Sequence, residues 1–188
     1  MTDLLQLLIN LDREAIQATS DLRWEPATVV LALISAWWVK GPLLVAVAWS
    51  ADLRGRRLVP LIALAATASF FVASAVNFVL KDLVARDRPP EAIGFDALVG
   101  VPGSPSFPSG HAMTAFATAA AVAVLAPRMR WPVLALAALI GFSRVYLGVH
   151  FWLDVLVGSL LGLAIGVAFA WPLRSRCRRR PVAAASPA

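Results

Sequence analysis

Apolar residues fill five long stretches of the chain, about 27–51, 58–80, 109–126, 131–147 and 153–172, with short polar segments between them. An α-helix needs roughly 20 apolar residues to cross hydrocarbon, so the pattern predicts five membrane spans. Lys40-Gly41-Pro42 interrupts the first stretch. Cutting there leaves pieces too short to cross, so 27–51 is read as one kinked span. Residues 3–18 follow another pattern, with Leu4, Leu5, Leu7, Leu8, Leu11, Ala15 and Ile16 set against Asp12, Arg13 and Glu14. That is an amphipathic helix too charged to span, expected to lie at the membrane interface. A proline- and glycine-rich loop occupies 82–107, and loops of that length in a compact protein are commonly functional. No internal repeat is evident. The predicted fold class is all-α, a polytopic transmembrane helical bundle of about five spans plus the N-terminal interfacial helix.

Composition agrees. A chain that is 60% hydrophobic with mean hydropathy +0.75 is a membrane protein rather than a soluble domain. Met1-Thr2-Asp3 offers no basic n-region, so no cleaved signal peptide is expected. The single cysteine, Cys177, excludes an internal disulfide and a cysteine metal cluster. The net charge of +6 raises nucleic acid as a partner, but the arginines cluster beside apolar spans. Membrane orientation accounts for them better, and no nucleic-acid partner is expected.

Charge also orients the bundle. Arg54, Arg56 and Arg57 follow the first stretch, Arg128 and Arg130 the third, and Arg174, Arg176, Arg178, Arg179 and Arg180 the fifth. With five spans all ten lie on one side, which the positive-inside rule makes cytoplasmic. Lys81, Arg88, the 108–111 segment, Arg144 and His150 then share the opposite side. Trp24 and Trp152 near the outer edge, with Trp49, Trp131 and Trp171 near the inner one, fit interfacial belts. Residues 1–172 are expected to form one membrane domain, and 173–188, basic and then Pro/Ala/Ser-rich, a disordered cytoplasmic tail.

The candidate chemistry centres on residues 143–154, which place Ser143, Arg144, His150 and Asp154 between two apolar stretches. Ionisable groups so near hydrocarbon are costly and usually functional. His150 and Asp154 are four apart, so a helix would stack them on one face, where a carboxylate fixes an imidazole's tautomer and stabilises its cation. Lys81 and Arg88 add two cations after the second stretch. Ser109-Gly110-His111 opens the third, where the helix N-terminus favours an anion and Gly110 permits close backbone approach. Arg144 adds a planar fork suited to phosphate oxygens. Singly, each has an ordinary explanation: juxtamembrane charges for Lys81 and Arg88, a helix cap for Ser109, a polar helix-start residue for His111. Together they describe an anion pocket with a nucleophile and an acid. Arg86 and Asp87 are read as solvated loop charges. Lys40 admits three readings: snorkelling, pairing with a neighbouring helix, or service at the site.

Lys81-x6-Arg88-Pro89, Pro108-Ser109-Gly110-His111 and Ser143-Arg144-x5-His150-x3-Asp154 resemble the three-part signature of the type 2 phosphatidic acid phosphatase superfamily, complete and in order over 81–154. The flanking spans resemble small bacterial undecaprenyl diphosphate phosphatases. The resemblance implies that His150 attacks phosphorus to form a phosphohistidine, that Asp154 orients it, and that His111 protonates the leaving oxygen and then activates water. It implies that Lys81, Arg88, Ser109, Gly110 and Arg144 bind the phosphoryl group. No metal or other cofactor is implied. The expected substrate is a lipid phosphate in the bilayer, first undecaprenyl diphosphate giving undecaprenyl phosphate. Phosphatidic acid or phosphatidylglycerol phosphate is the alternative, as is phosphotransfer to another lipid. A non-catalytic carrier would not need His150, His111 and Asp154 together, and a small membrane-embedded chain argues against a vanadium haloperoxidase. The expected location is the bacterial inner membrane with an extracytoplasmic active site.

The orientation can be tested directly. In a Cys177→Ser background, Ala97→Cys should react with a membrane-impermeant maleimide in whole cells and Ala184→Cys should not. The opposite labelling pattern reverses the topology.

Overall fold

A computed structural model describes residues 2–36, 44–54 and 60–175. Among these residues eight α-helices follow in order: α1 (Thr2–Ser20), α2 (Glu25–Ile34), α3 (Leu44–Arg54), α4 (Leu61–Val84), α5 (Pro89–Ile93), α6 (Gly110–Leu125), α7 (Arg130–Tyr146) and α8 (Trp152–Ala170). Short 3-10 turns at Pro127–Met129 and Trp171–Leu173 flank the last helices, and no strand occurs among the described residues. The all-α expectation holds, and the stretches at 58–80, 109–126, 131–147 and 153–172 become α4, α6, α7 and α8. Lys40 and the kink expected at Lys40-Gly41-Pro42 lie outside the described residues, between α2 and α3. So do Arg56, Arg57 and the tail from residue 176.

Among the described residues, two stretches are long and apolar enough to cross a membrane, Leu61–Ile93, which is α4 followed after a break by α5, and Trp152–Leu173; α2 and α6 are shorter apolar helices. The outward face of α4 presents Phe71, Phe78 and Leu83 bare. Large exposed apolar surface of this kind marks a face that meets lipid or a partner.

Helix α6 is the axis of the bundle, packed against α4, α7 and α8. Its residues Ala112, Met113, Ala115, Ala117, Ala119, Ala121 and Val122 are fully enclosed. Small side chains let backbones approach closely, which is how helices associate where hydrocarbon removes the usual hydrophobic drive. The closest approach is to α8. A Cβ added at Gly158 would lie 2.7 Å from the Ser109 carbonyl oxygen, and one at Gly162 would strike the Met113 carbonyl oxygen. Backbone, not a flexible side chain, stands in the way.

Helix α1 forms where expected, with Asp12 on its polar side turned into the protein rather than to solvent. Ile16 and Asp12 point inward, 0% and 3% exposed, whereas Leu7 and Leu11 are 53% and 52% exposed. Asp12 is drawn in because it finds partners there. Its Oδ1 accepts from the Leu153 amide at 3.0 Å and its Oδ2 meets Arg86 at 2.8 Å. A paired, hydrogen-bonded carboxylate can be buried at tolerable cost.

The α6–α8 contact yields a stability prediction. Gly162→Ala should destabilise the detergent-solubilised protein by about 1–3 kcal/mol, the usual cost of overpacking. Gly100→Ala, at a position with nothing within 4 Å, should leave the melting midpoint unchanged. Equal midpoints for the two variants would contradict the close approach.

Candidate active site

The site is assembled from helix ends. Ser109 is the N-cap of α6, its Oγ 3.5 Å from the Ala112 amide. Its own amide donates to the Asp154 carbonyl at 2.9 Å, tying the start of α6 to the first turn of α8. Gly110 follows because there is no room for more: a Cβ would lie 2.7 Å from Asn77 Oδ1. Asn77, buried on α4, donates from Nδ2 to the Pro108 carbonyl at 3.0 Å and so fixes the approach to the helix. His111, half-buried, occupies the first turn of α6.

His150 and Asp154 meet, though not by stacking along a helix. His150 lies in the turn between α7 and α8, while Asp154 is already inside α8. Asp154 Oδ2 accepts from the Phe151 amide at 2.9 Å, capping α8, and lies 3.4 Å from His150 Nδ1. That contact is an ion-pair distance without hydrogen-bond alignment. The i,i+4 spacing therefore works across a helix entrance. His150 is 2% exposed, and burial pushes its imidazole down to about 4, opposed by Asp154 and helped by Arg88 and Arg144. The ring is then neutral at pH 7. With Nδ1 turned to the carboxylate, Nε2 faces Arg88 Nη1 at 3.3 Å.

Arg88 is buried at the start of α5, a short helix within the long loop. It donates from Nη1 to the Val149 carbonyl at 2.7 Å and from Nε to the Ser104 carbonyl at 2.8 Å, so its fork is held rigidly beside His150. Lys81, in the last turn of α4, donates to the Pro105 carbonyl in the same loop. Arg144 closes α7; its Nη1 donates to Ser35 Oγ at the end of α2, while its Nε is buried without a partner. The His150 amide donates to the Arg144 carbonyl at 3.2 Å. Among the described residues, no group of three or more His, Cys, Asp or Glu side chains is placed to hold a metal. Two fixed cations, Arg88 and Arg144, stand by a neutral, buried imidazole, a setting that suits an anion.

Two charged residues here depart from the sequence expectation. Arg86, expected as a solvated loop charge, donates to Asp154 Oδ1 at 2.6 Å and to Asp12 Oδ2 at 2.8 Å. Asp12, expected on a polar face, is the second of those acceptors. The available signal was positional: Arg86 is two residues from Arg88, and Asp12 shares a helix face with Ile16 and Thr19. Asp87 remains exposed, as expected.

The fold is that of a helical membrane protein with a candidate anion site, and comparison with known proteins supplies its class. Residues 61–177 match the PAP2 superfamily, to which the chain belongs. It is 37% identical over 97 residues to an undecaprenyl-diphosphatase of Sulfolobus acidocaldarius, covering 50% of this chain and 47% of that one. It is 40% identical over 120 residues to a decaprenylphosphoryl-5-phosphoribose phosphatase of Mycobacterium tuberculosis, covering 62% and 66%. The matched region thus spans about half to two thirds of these curated relatives. A crystal structure of a transmembrane PAP2-type phosphatidylglycerolphosphate phosphatase from Bacillus subtilis superimposes with a TM-score of 0.74 at 27% identity, covering 92% of this chain and 89% of that one.

Substitutions separate the roles of the paired residues. If His150 is the nucleophile that the family resemblance implies, His150→Ala should abolish lipid phosphate turnover while the protein still folds, because the bond-forming atom would be gone. Asp154→Asn should be severe but less complete, since it misorients the ring rather than removing it. Initial rates of phosphate release by purified protein measure both, and appreciable turnover by His150→Ala sinks the assignment.

Proposed function

We propose that the chain is an integral-membrane lipid phosphate phosphatase that works through a phosphohistidine, with undecaprenyl diphosphate as its substrate. The observation that carries this reading is the buried His150 ring, with Asp154 at Nδ1 and the Arg88 guanidinium 3.3 Å from Nε2. Phosphoryl oxygens held by Arg88 would present phosphorus to the Nε2 lone pair.

In the first step an N–P bond forms at His150 Nε2 as the bond from phosphorus to the leaving oxygen breaks, and His111 donates a proton to that oxygen. In the second, water attacks phosphorus, the N–P bond breaks, and His111 takes the water proton as inorganic phosphate departs. Asp154 holds the ring and balances its charge while it carries the phosphoryl group. Lys81, Arg88, Arg144, Ser109 and the Gly110 amide take up charge on the phosphoryl oxygens, the main task in phosphoryl transfer. Three fixed cations do what a divalent ion does elsewhere, so the reading is of a metal-independent enzyme.

The membrane arrangement belongs to the same proposal. Residues 1–172 act as one unit of five spans, with α2 and α3 as parts of the first and α1 at the interface, and the site opens to the extracytoplasmic side of a bacterial inner membrane. A lipid phosphate then presents its head group at the helix ends while its tail stays in the bilayer. The undecaprenyl-diphosphatase likeness supports the polyprenyl substrate. The high mutual coverage with a phosphatidylglycerolphosphate phosphatase favours a second reading, in which the substrate is a glycerophospholipid phosphate.

Phosphate release from undecaprenyl diphosphate, phosphatidylglycerol phosphate and phosphatidic acid by purified protein decides between them by kcat/KM. Activity should persist in excess chelator, and vanadate should inhibit as a phosphate mimic. Loss of activity with chelator, restored by magnesium, contradicts the cation-clamp mechanism. Phosphate recovered on another lipid instead of in water identifies a phosphotransferase.

A further inference from the structure

We propose that Arg86 and Asp12 are positioning residues for Asp154, so that the N-terminal helix α1 acts through Arg86 on the geometry of the His150 ring. The inference rests on the proposed role of His150 and Asp154, and it adds to that site two groups that lie outside the three-part signature.

The geometry is specific. Arg86 spreads its fork between two carboxylates, with Nη1 to Asp154 Oδ1 at 2.6 Å and Nη2 to Asp12 Oδ2 at 2.8 Å. Its guanidinium carbon lies 4.1 Å from the centroid of the Phe151 ring, so the fork is also stacked in place. Asp12 is itself fixed by the Leu153 amide, which donates to Oδ1 at 3.0 Å. The backbone around Arg86 is pinned too: the Ser106 amide donates to the Arg86 carbonyl at 2.8 Å, and Ser106 Oγ donates to the Asp87 carbonyl at 3.0 Å.

The consequence lies in how Asp154 divides its two oxygens. Oδ2 serves the Phe151 amide and faces His150 Nδ1, while Oδ1 is committed to Arg86. Arg86 therefore fixes the rotation of the carboxylate, and the oxygen left for His150 is always the same one. Asp12 stops the guanidinium from swinging away. Segment 86–88 thus holds the imidazole from both sides, Arg88 in front at Nε2 and Arg86 behind through Asp154. Removing Arg86 leaves a buried carboxylate oxygen uncompensated, which the carboxylate relieves by turning, and the ring loses its orientation.

The test uses the full-length purified protein with labelled undecaprenyl diphosphate, phosphatidylglycerol phosphate and phosphatidic acid in separate reactions, quenched to count phosphohistidine per enzyme. Arg86→Gln should lower kcat per active site about 10–100-fold, the usual scale for a group that orients a reacting side chain from behind, with KM little changed. Arg86→Lys should recover part of the loss because it keeps the charge. Asp12→Asn, which retains an acceptor for Leu153, should lower kcat less. Combined with Arg86→Gln it should add nothing, as expected for residues acting in series. Unchanged kcat in Arg86→Gln overturns the proposal. So does a raised KM at constant kcat, which makes Arg86 a substrate contact, or a fall only in the number of active sites, which makes it a folding residue. Wild-type protein that releases no phosphate from any of the three lipids overturns the phosphatase reading, and the positioning role falls with it. An active wild type with an insensitive Arg86 overturns the positioning role alone.

Discussion

Asp154 is a carboxylate with no solvent exposure, and a charge so placed is tolerable only when its surroundings replace the water it has lost. Much of the site is the set of groups that do so. The Phe151 amide and Arg86 meet its side chain, and its backbone carbonyl holds Ser109 at the start of α6. One residue therefore ties together the entrance of α8, the N-cap of α6 and the loop that carries Arg88. The demand for compensation at a single buried group brings three distant parts of the chain to the edge of one imidazole.

Part of this was legible from sequence: the three-part pattern is carried by residue type and local spacing, and the structure brings Arg88, Arg144, His150 and Asp154 of that pattern together. The helices were legible for the same reason: long apolar stretches bounded by polar residues leave little choice of element. What failed were inferences that needed a partner far along the chain. Arg86 looks like any loop arginine until Asp12, 74 residues away, is placed beside it. Asp12 in turn looks solvent-facing when helix α1 is judged by its leucines. A local pattern contains no term for a pairing of that separation.

The His150–Asp154 pair shows a subtler failure. The spacing of four pointed correctly to proximity but for the wrong reason, since His150 lies outside the helix and Asp154 within it. A carboxylate early in a helix turns back to cap the preceding amide, and that same turn aims it at the residue just upstream. Capping and ring orientation are here one conformation of one side chain. The local stability of the α8 entrance and the competence of the site are therefore not separable quantities.

The bare glycine faces of α8 have a bearing on time as well as on space. With the α6 carbonyls lying directly over Gly158 and Gly162, neither helix can slide along the other without driving side chains into backbone. Axial drift is the soft motion of a helix pair in a fluid bilayer, where tension and thickness fluctuate constantly. A pair keyed in this way can tilt together but cannot slip. Resistance to slip shields the 2.9 Å bond between the Ser109 amide and the Asp154 carbonyl from such fluctuations.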